Sequence, residues 1–165
     1  MNKIHREQIS SELRALGLRE GDAVMVHSSL SALGPVENGA ETVVDALLDA
    51  VGPSGTLLVP AFRDSLWGSA SDFANTDCRC PQRLCSSRQP GFQGAIPEAV
   101  RKLAGSRRSC HPTHSWVALG PAAAQLLQGH RDSPTPCGRG NPFEALISCD
   151  GCILTLGVQV DRVTL

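Results

Sequence analysis

"GDAVMVHSSLSALGPVENGAETVVDALLDAVGPSGTLLVPAF" (21–62) holds two kinds of apolar pattern in one stretch. The runs "DAVMVH" (22–27) and "GTLLVPAF" (55–62) are short and continuously apolar, as strands covered on both faces are. Between them Val43, Val44, Leu47, Leu48 and Val51 recur at helical spacing, and Gly52-Pro53 stops the helix. Strand, helix, strand at this spacing is the unit of a parallel sheet.

The same grammar extends outward. Ile9, Leu13 and Leu16 form one helical face before Gly17. Downstream, "GAIPEAVRKLAG" (94–105) reads as a helix, "HSWVALG" (114–120) as a strand and "PAAAQLLQGH" (121–130) as a short helix. "PFEALIS" (142–148) adds a further helical turn or two, and "CILTLGVQV" (152–160) a strand. The expectation is a single α/β domain over 1–165 with a largely parallel central sheet flanked by helices. Residues 63–93 break the pattern; rich in Ser, Asp, Arg, Cys and Pro, they read as a long irregular loop region.

At 165 residues the chain suits one domain of ordinary size, and 41% hydrophobic with 19% charged residues is a globular composition. A net charge of -1 supplies no basic field, so nucleic acid is not expected as a partner. No run reaches the roughly 18 apolar residues of a membrane span, and "MNKIHREQIS" (1–10) lacks the apolar core of a secretion signal. A cytoplasmic protein without a membrane partner is expected. The seven cysteines cannot all pair internally, and reduced thiols suit that compartment.

Three local chemistries are open from the residues alone. Cys78, Cys80 and Cys85 with a histidine, or Cys149 and Cys152 at C-x-x-C spacing, are zinc-like, but no common zinc knuckle has this spacing. Ser28 or Ser115 with His27, His111 or His114 is a hydroxyl–imidazole set, yet no G-x-S-x-G elbow is present. Ser28, Ser29 and Ser31 leave the carboxyl end of a strand, where ligands of α/β sheets collect. In an extended "HSWVALG", His114 and Ser115 point to opposite faces.

Four pieces in chain order narrow this. They are "HSSL" (27–30) followed by Gly34, "VGPSGTL" (51–57), "RRSCHPTHS" (107–115) and "SPTPCGRGNPF" (133–143). Together with the segments around them they cover most of the chain, which resembles the aminoglycoside 3-N-acetyltransferase family. The resemblance implies acetyl-coenzyme A as co-substrate and an amine of a 2-deoxystreptamine aminoglycoside as acceptor, with antibiotic resistance as the outcome. It implies a coenzyme wall of His27, Ser28, Ser29, Leu30, His111, Thr113, His114, Ser115 and Phe143. It places the 63–93 region beside the drug. There Asp64, Asp72 and Asp77 are the carboxylates a polycation needs. No metal is expected. Family members continue into a histidine and an acidic residue, the expected base and its orienting partner, which would lie beyond Leu165. The domain is thus expected to be incomplete. The resemblance leaves the oligomeric state open.

Overall fold

A computed structural model describes residues 3–62, 90–111, 114–133 and 138–163. Among these residues five strands form one sheet in the order β3-β4-β2-β1-β5. They are β1 (Ala23–Ser28), β2 (Thr56–Pro60), β3 (Arg107–Arg108), β4 (Trp116–Leu119) and β5 (Cys152–Leu156). The α-helices among the described residues are α1 (Arg6–Ala15), α2 (Ala40–Val51), α3 (Ala95–Lys102), α4 (Ala123–Leu127) and α5 (Pro142–Ser148).

β1 pairs in parallel with β2 and β5, whereas β4 pairs antiparallel with both β2 and β3. Two reversals restore direction, so β3 runs with β1, β2 and β5, and only β4 opposes them. The sheet is thus α/β and mixed. The reversal comes from the hairpin after β3, which folds β4 back into the gap beside β2. Only Arg107 and Arg108 represent β3, a two-residue strand without an apolar run for a pattern to catch.

The strand alternation sorts the core into two layers. Val24, Val26, Leu57, Val59 and Val117 face α1, α2 and α3, where Leu13, Val43, Leu47, Ile96 and Val100 are buried. Met25, Leu58, Trp116 and Ala118 face α4 and α5, against Leu126, Leu127 and Leu146. Both layers are apolar, which is why β1 and β2 read as unbroken apolar runs. α2 ends at Gly52, whose φ of 66° few side chains tolerate. β5 is shorter than its apolar run: after Leu156 the chain bends at Gly157 and enters a 3-10 turn at Val160–Arg162.

Candidate functional site

The carboxyl ends of β1, β2 and β5 lie at one edge of the sheet, and the reversed β4 begins there. The registers say so: Ser28 stands opposite Leu156, and Pro60 opposite Trp116. This is the edge at which α/β sheets take their ligands. The Ser29 amide donates to the Leu156 carbonyl at 2.8 Å, which turns the chain out of β1 into a short 3-10 helix at Leu30–Leu33. The Ser29 and Ser31 hydroxyls are 3.2 Å apart.

Aromatic and imidazole rings line the face of this edge toward α4 and α5. Trp116 is the hub: its centroid is 5.9 Å from His27, 5.4 Å from Phe62 and 5.2 Å from Phe143, each edge to face. Phe62 leans on His114 at 4.8 Å. His114 meets His111 at 6.0 Å, and His111 stacks nearly parallel on His130 at 4.6 Å. The period-2 rule explains the grouping: His27 shares the face of Met25, and His114 that of Trp116. Phe143 arrives from α5, which Asn141 caps by accepting the Phe143 and Glu144 amides at 2.9 and 3.1 Å.

Burial holds the His27 and His114 imidazoles below the ordinary histidine pKa, which favours their neutral form. Three buried polar atoms, His27 Nε2, Ser28 Oγ and Trp116 Nε1, have no hydrogen-bond partner among the described residues. Such atoms are rare in folded proteins and call for a ligand or a water.

The hairpin between β3 and β4 is tied from inside. The Ser115 hydroxyl donates to the Ala61 carbonyl at 2.7 Å and accepts from Arg108 Nε at 2.8 Å. The Ser109 hydroxyl accepts the Trp116 amide at 2.8 Å and meets His130 Nδ1 at 2.8 Å.

Of the residues expected at the coenzyme wall, the fold brings His27, His111, His114 and Phe143 into one ring cluster, with Ser28, Ser29 and Leu30 at the adjoining strand end. Ser115 is buried with its hydroxyl turned to the opposite side of the sheet. Thr113, Asp64, Asp72 and Asp77 lie outside the described residues. His111 and His114 are joined: the His114 amide donates to His111 Nδ1 at 3.0 Å. Sequence reasoning missed Trp116, Phe62 and His130. Alternation could have found the first two, since Trp116 shares the parity of His114 and Phe62 that of Leu58; nothing local flags His130.

Among the described residues no group of three or more His, Cys, Asp or Glu side chains is arranged to hold a metal ion. Cys78, Cys80 and Cys85 lie outside those residues. Cys149 and Cys152 are free thiols, and burial followed by the Asp22 charge pushes the Cys152 thiol up.

Comparison with known proteins gives a consistent result. The profile described as aminoglycoside 3-N-acetyltransferase matches residues 25–165. Aminoglycoside N(3)-acetyltransferase III of Serratia marcescens is 41% identical over 99% of this chain and 62% of its own length. The crystal structure of aminoglycoside acetyltransferase AAC(3)-Xa superposes with a TM-score of 0.83 at 37% identity, covering 99% of this chain and 59% of that one. AAC-IIIb, solved as a binary complex with CoASH, gives 0.80 at 31% identity over 98% and 62%. The chain spans about three fifths of the length of the relatives it matches.

Proposed function

The chain belongs to the aminoglycoside 3-N-acetyltransferase family, and from that membership we propose that it uses acetyl-coenzyme A to acetylate the 3-amino group of 2-deoxystreptamine aminoglycosides, conferring antibiotic resistance. One observation carries the reading: the ligand-taking edge of the sheet is walled by the neutral rings of His27, Phe62, His114, Trp116 and Phe143. A thioester and its pantetheine arm are uncharged and largely apolar, so such a wall costs them little desolvation. His27, Ser28, Ser29, Leu30, His111, Thr113, His114 and Phe143 form the coenzyme side in this proposal, with Ser115 supporting it from behind the sheet. The partnerless His27 Nε2, Ser28 Oγ and Trp116 Nε1 supply polar contacts to the arm. Asp64, Asp72 and Asp77, in the 63–93 region, hold the polycation.

Transfer is direct. The neutral amine attacks the thioester carbonyl, the C–N bond forms, the C–S bond breaks, and coenzyme A leaves as the thiol. One proton is released overall, since the drug amine is an ammonium at pH 7. The edge described above positions the donor, and a general base takes up the ammonium proton. The working compartment in this proposal is the cytoplasm, where the donor and the drug target meet. Among the described residues no helix is long and apolar enough to cross a membrane.

Thiol release from acetyl-coenzyme A, measured over a panel of aminoglycosides with mass analysis of the product, tests the reading. Drug-dependent thiol and a singly acetylated drug are expected, with no burst of thiol when drug is omitted. Coenzyme binding without release would identify a binding-only relative. Absence of both would remove the proposal, and a stoichiometric burst would replace direct transfer by an acetyl-enzyme route.

A further inference from the structure

Arg108 is 4% exposed, a nearly complete burial for a guanidinium that stays charged at every accessible pH. Burying it is costly unless acceptors are aimed at its N–H groups. Two such acceptors lie among the described residues: Nε donates to the Ser115 hydroxyl at 2.8 Å, and Nη2 donates to the Ala61 carbonyl. The Ser115 hydroxyl donates to that same carbonyl at 2.7 Å, and the Ala61 amide donates to the Ser115 carbonyl at 2.9 Å. The regular β2–β4 ladder ends at Pro60 opposite Trp116. The Ala61–Ser115 backbone bond carries the pairing one step further, and Arg108 reinforces that step through side chains at the point where the two strands part.

The location matters as much as the bonds. Arg108 stands opposite Val117 in the β3–β4 register, and Ala61 packs in the same core layer as Val117. By alternation, Arg108, Ala61 and Ser115 are on the face toward α1, α2 and α3. Phe62 and His114, the immediate neighbours of Ala61 and Ser115, are on the other face, with rings 4.8 Å apart. The guanidinium thus braces from behind the two residues that carry the wall in front.

We propose that Arg108 is a positioning residue: its fork holds Ala61 and Ser115 together and so sets Phe62 against His114 at the coenzyme edge. The coenzyme part of this rests on the function proposed above. Lysine cannot substitute for the fork, because a single ammonium does not present two divergent N–H groups in one plane.

The test compares Arg108→Lys, Arg108→Met and Ser115→Ala with the parent chain, well below their unfolding temperatures. Two quantities are read: the His114 imidazole titration by NMR and the acetyl-coenzyme A affinity by calorimetry. In the parent, desolvation of the half-buried His114 ring holds its titration below the ordinary histidine value. Both Arg108 variants are expected to return it toward that value and to weaken coenzyme binding by about tenfold or more, the scale of a lost charge-assisted hydrogen bond. Ser115→Ala, which leaves the hold on Ala61, is expected to move both in the same direction by less, and it keeps the test open if an Arg108 variant does not fold. A folded Arg108 variant with an unmoved His114 titration, or with unchanged affinity, overturns the proposal. A merely structural arginine would lower the unfolding temperature and leave both readouts alone. If the parent chain binds no coenzyme, the functional reading falls, and the His114 titration alone decides the role of Arg108.

Discussion

The backbone amide of His114 donates to Nδ1 of His111 across 3.0 Å. In this arrangement Nδ1 of His111 is an acceptor, so its ring is the neutral tautomer with the proton on Nε2. Protonating His111 would set N–H against N–H and release His114. The placement of the second histidine in "HPTH" thus depends on the protonation state of the first.

A pH dependence follows from the buried rings. Burial lowers the His27 and His114 pKa values in the folded state, so the unfolded chain takes up protons that the native one refuses. Their contribution to stability is complete above the unfolded value of about 6.5 and is lost as pH falls from there toward the lowered folded values, at most about 1.4 kcal/mol per pH unit for each ring. Urea titrations between pH 8 and 5 are expected to show the loss, and His27→Asn to flatten it. A stability that rises on acidification would contradict this.

Trp116→Ala is expected to cost about 3–5 kcal/mol in chemical denaturation, the range for deleting a large buried aromatic. The indole is 1% exposed and touches His27, Phe62 and Phe143. Trp116→Phe should cost less and, by removing the partnerless Nε1, weaken coenzyme binding selectively. A loss under about 1 kcal/mol for the alanine variant would mean the cluster does not depend on its hub.

Asn141→Ala removes the cap that accepts the Phe143 and Glu144 amides. About 1–2 kcal/mol of stability is expected to go with it, and Asn141→Asp to keep most of it. Because the cap fixes where α5 starts, the alanine variant should also change the near-ultraviolet signal of Trp116 through Phe143. An unaltered spectrum would separate helix start from ring placement.

Gly157→Ala probes the contact between β5 and the loop after β1. The residue has φ of 67°, and an added Cβ would lie 2.7 Å from Ala32 Cβ and 3.0 Å from the Ser29 carbonyl oxygen. The backbone strain alone is roughly 1–2 kcal/mol, and relief of the clash requires the Ser29–Ala32 turn to move. Calorimetry should report a lower unfolding temperature together with weaker acetyl-coenzyme A binding. Destabilisation with unchanged affinity would remove Ser29 and Leu30 from the coenzyme side.

Much of this was legible in the chain. The apolar runs of β1 and β2 and the helical spacing of Val43, Val44, Leu47 and Val51 place three of the central elements within a residue or two. Such patterns are local, and burial on both faces leaves a strand no choice but to be apolar throughout. "RRSCHPTHS" is likewise recognisable as a family segment, and His27 as the polar end of a buried strand.

The rest was decided by packing. That β4 runs against its neighbours depends on a hairpin after a two-residue strand, too short to carry a period. That Ser115 points behind the sheet while His114 faces Trp116 required knowing where β4 begins, because a shift of one residue exchanges the two faces. Arg108 reads as one of two adjacent surface arginines; only the folded chain brings Ala61, 47 positions earlier, within reach of its guanidinium. Local periodicity determined the elements, since each depends on its own residues. The site depended on side chains far apart in sequence, and only the closing of the sheet gave them a common edge.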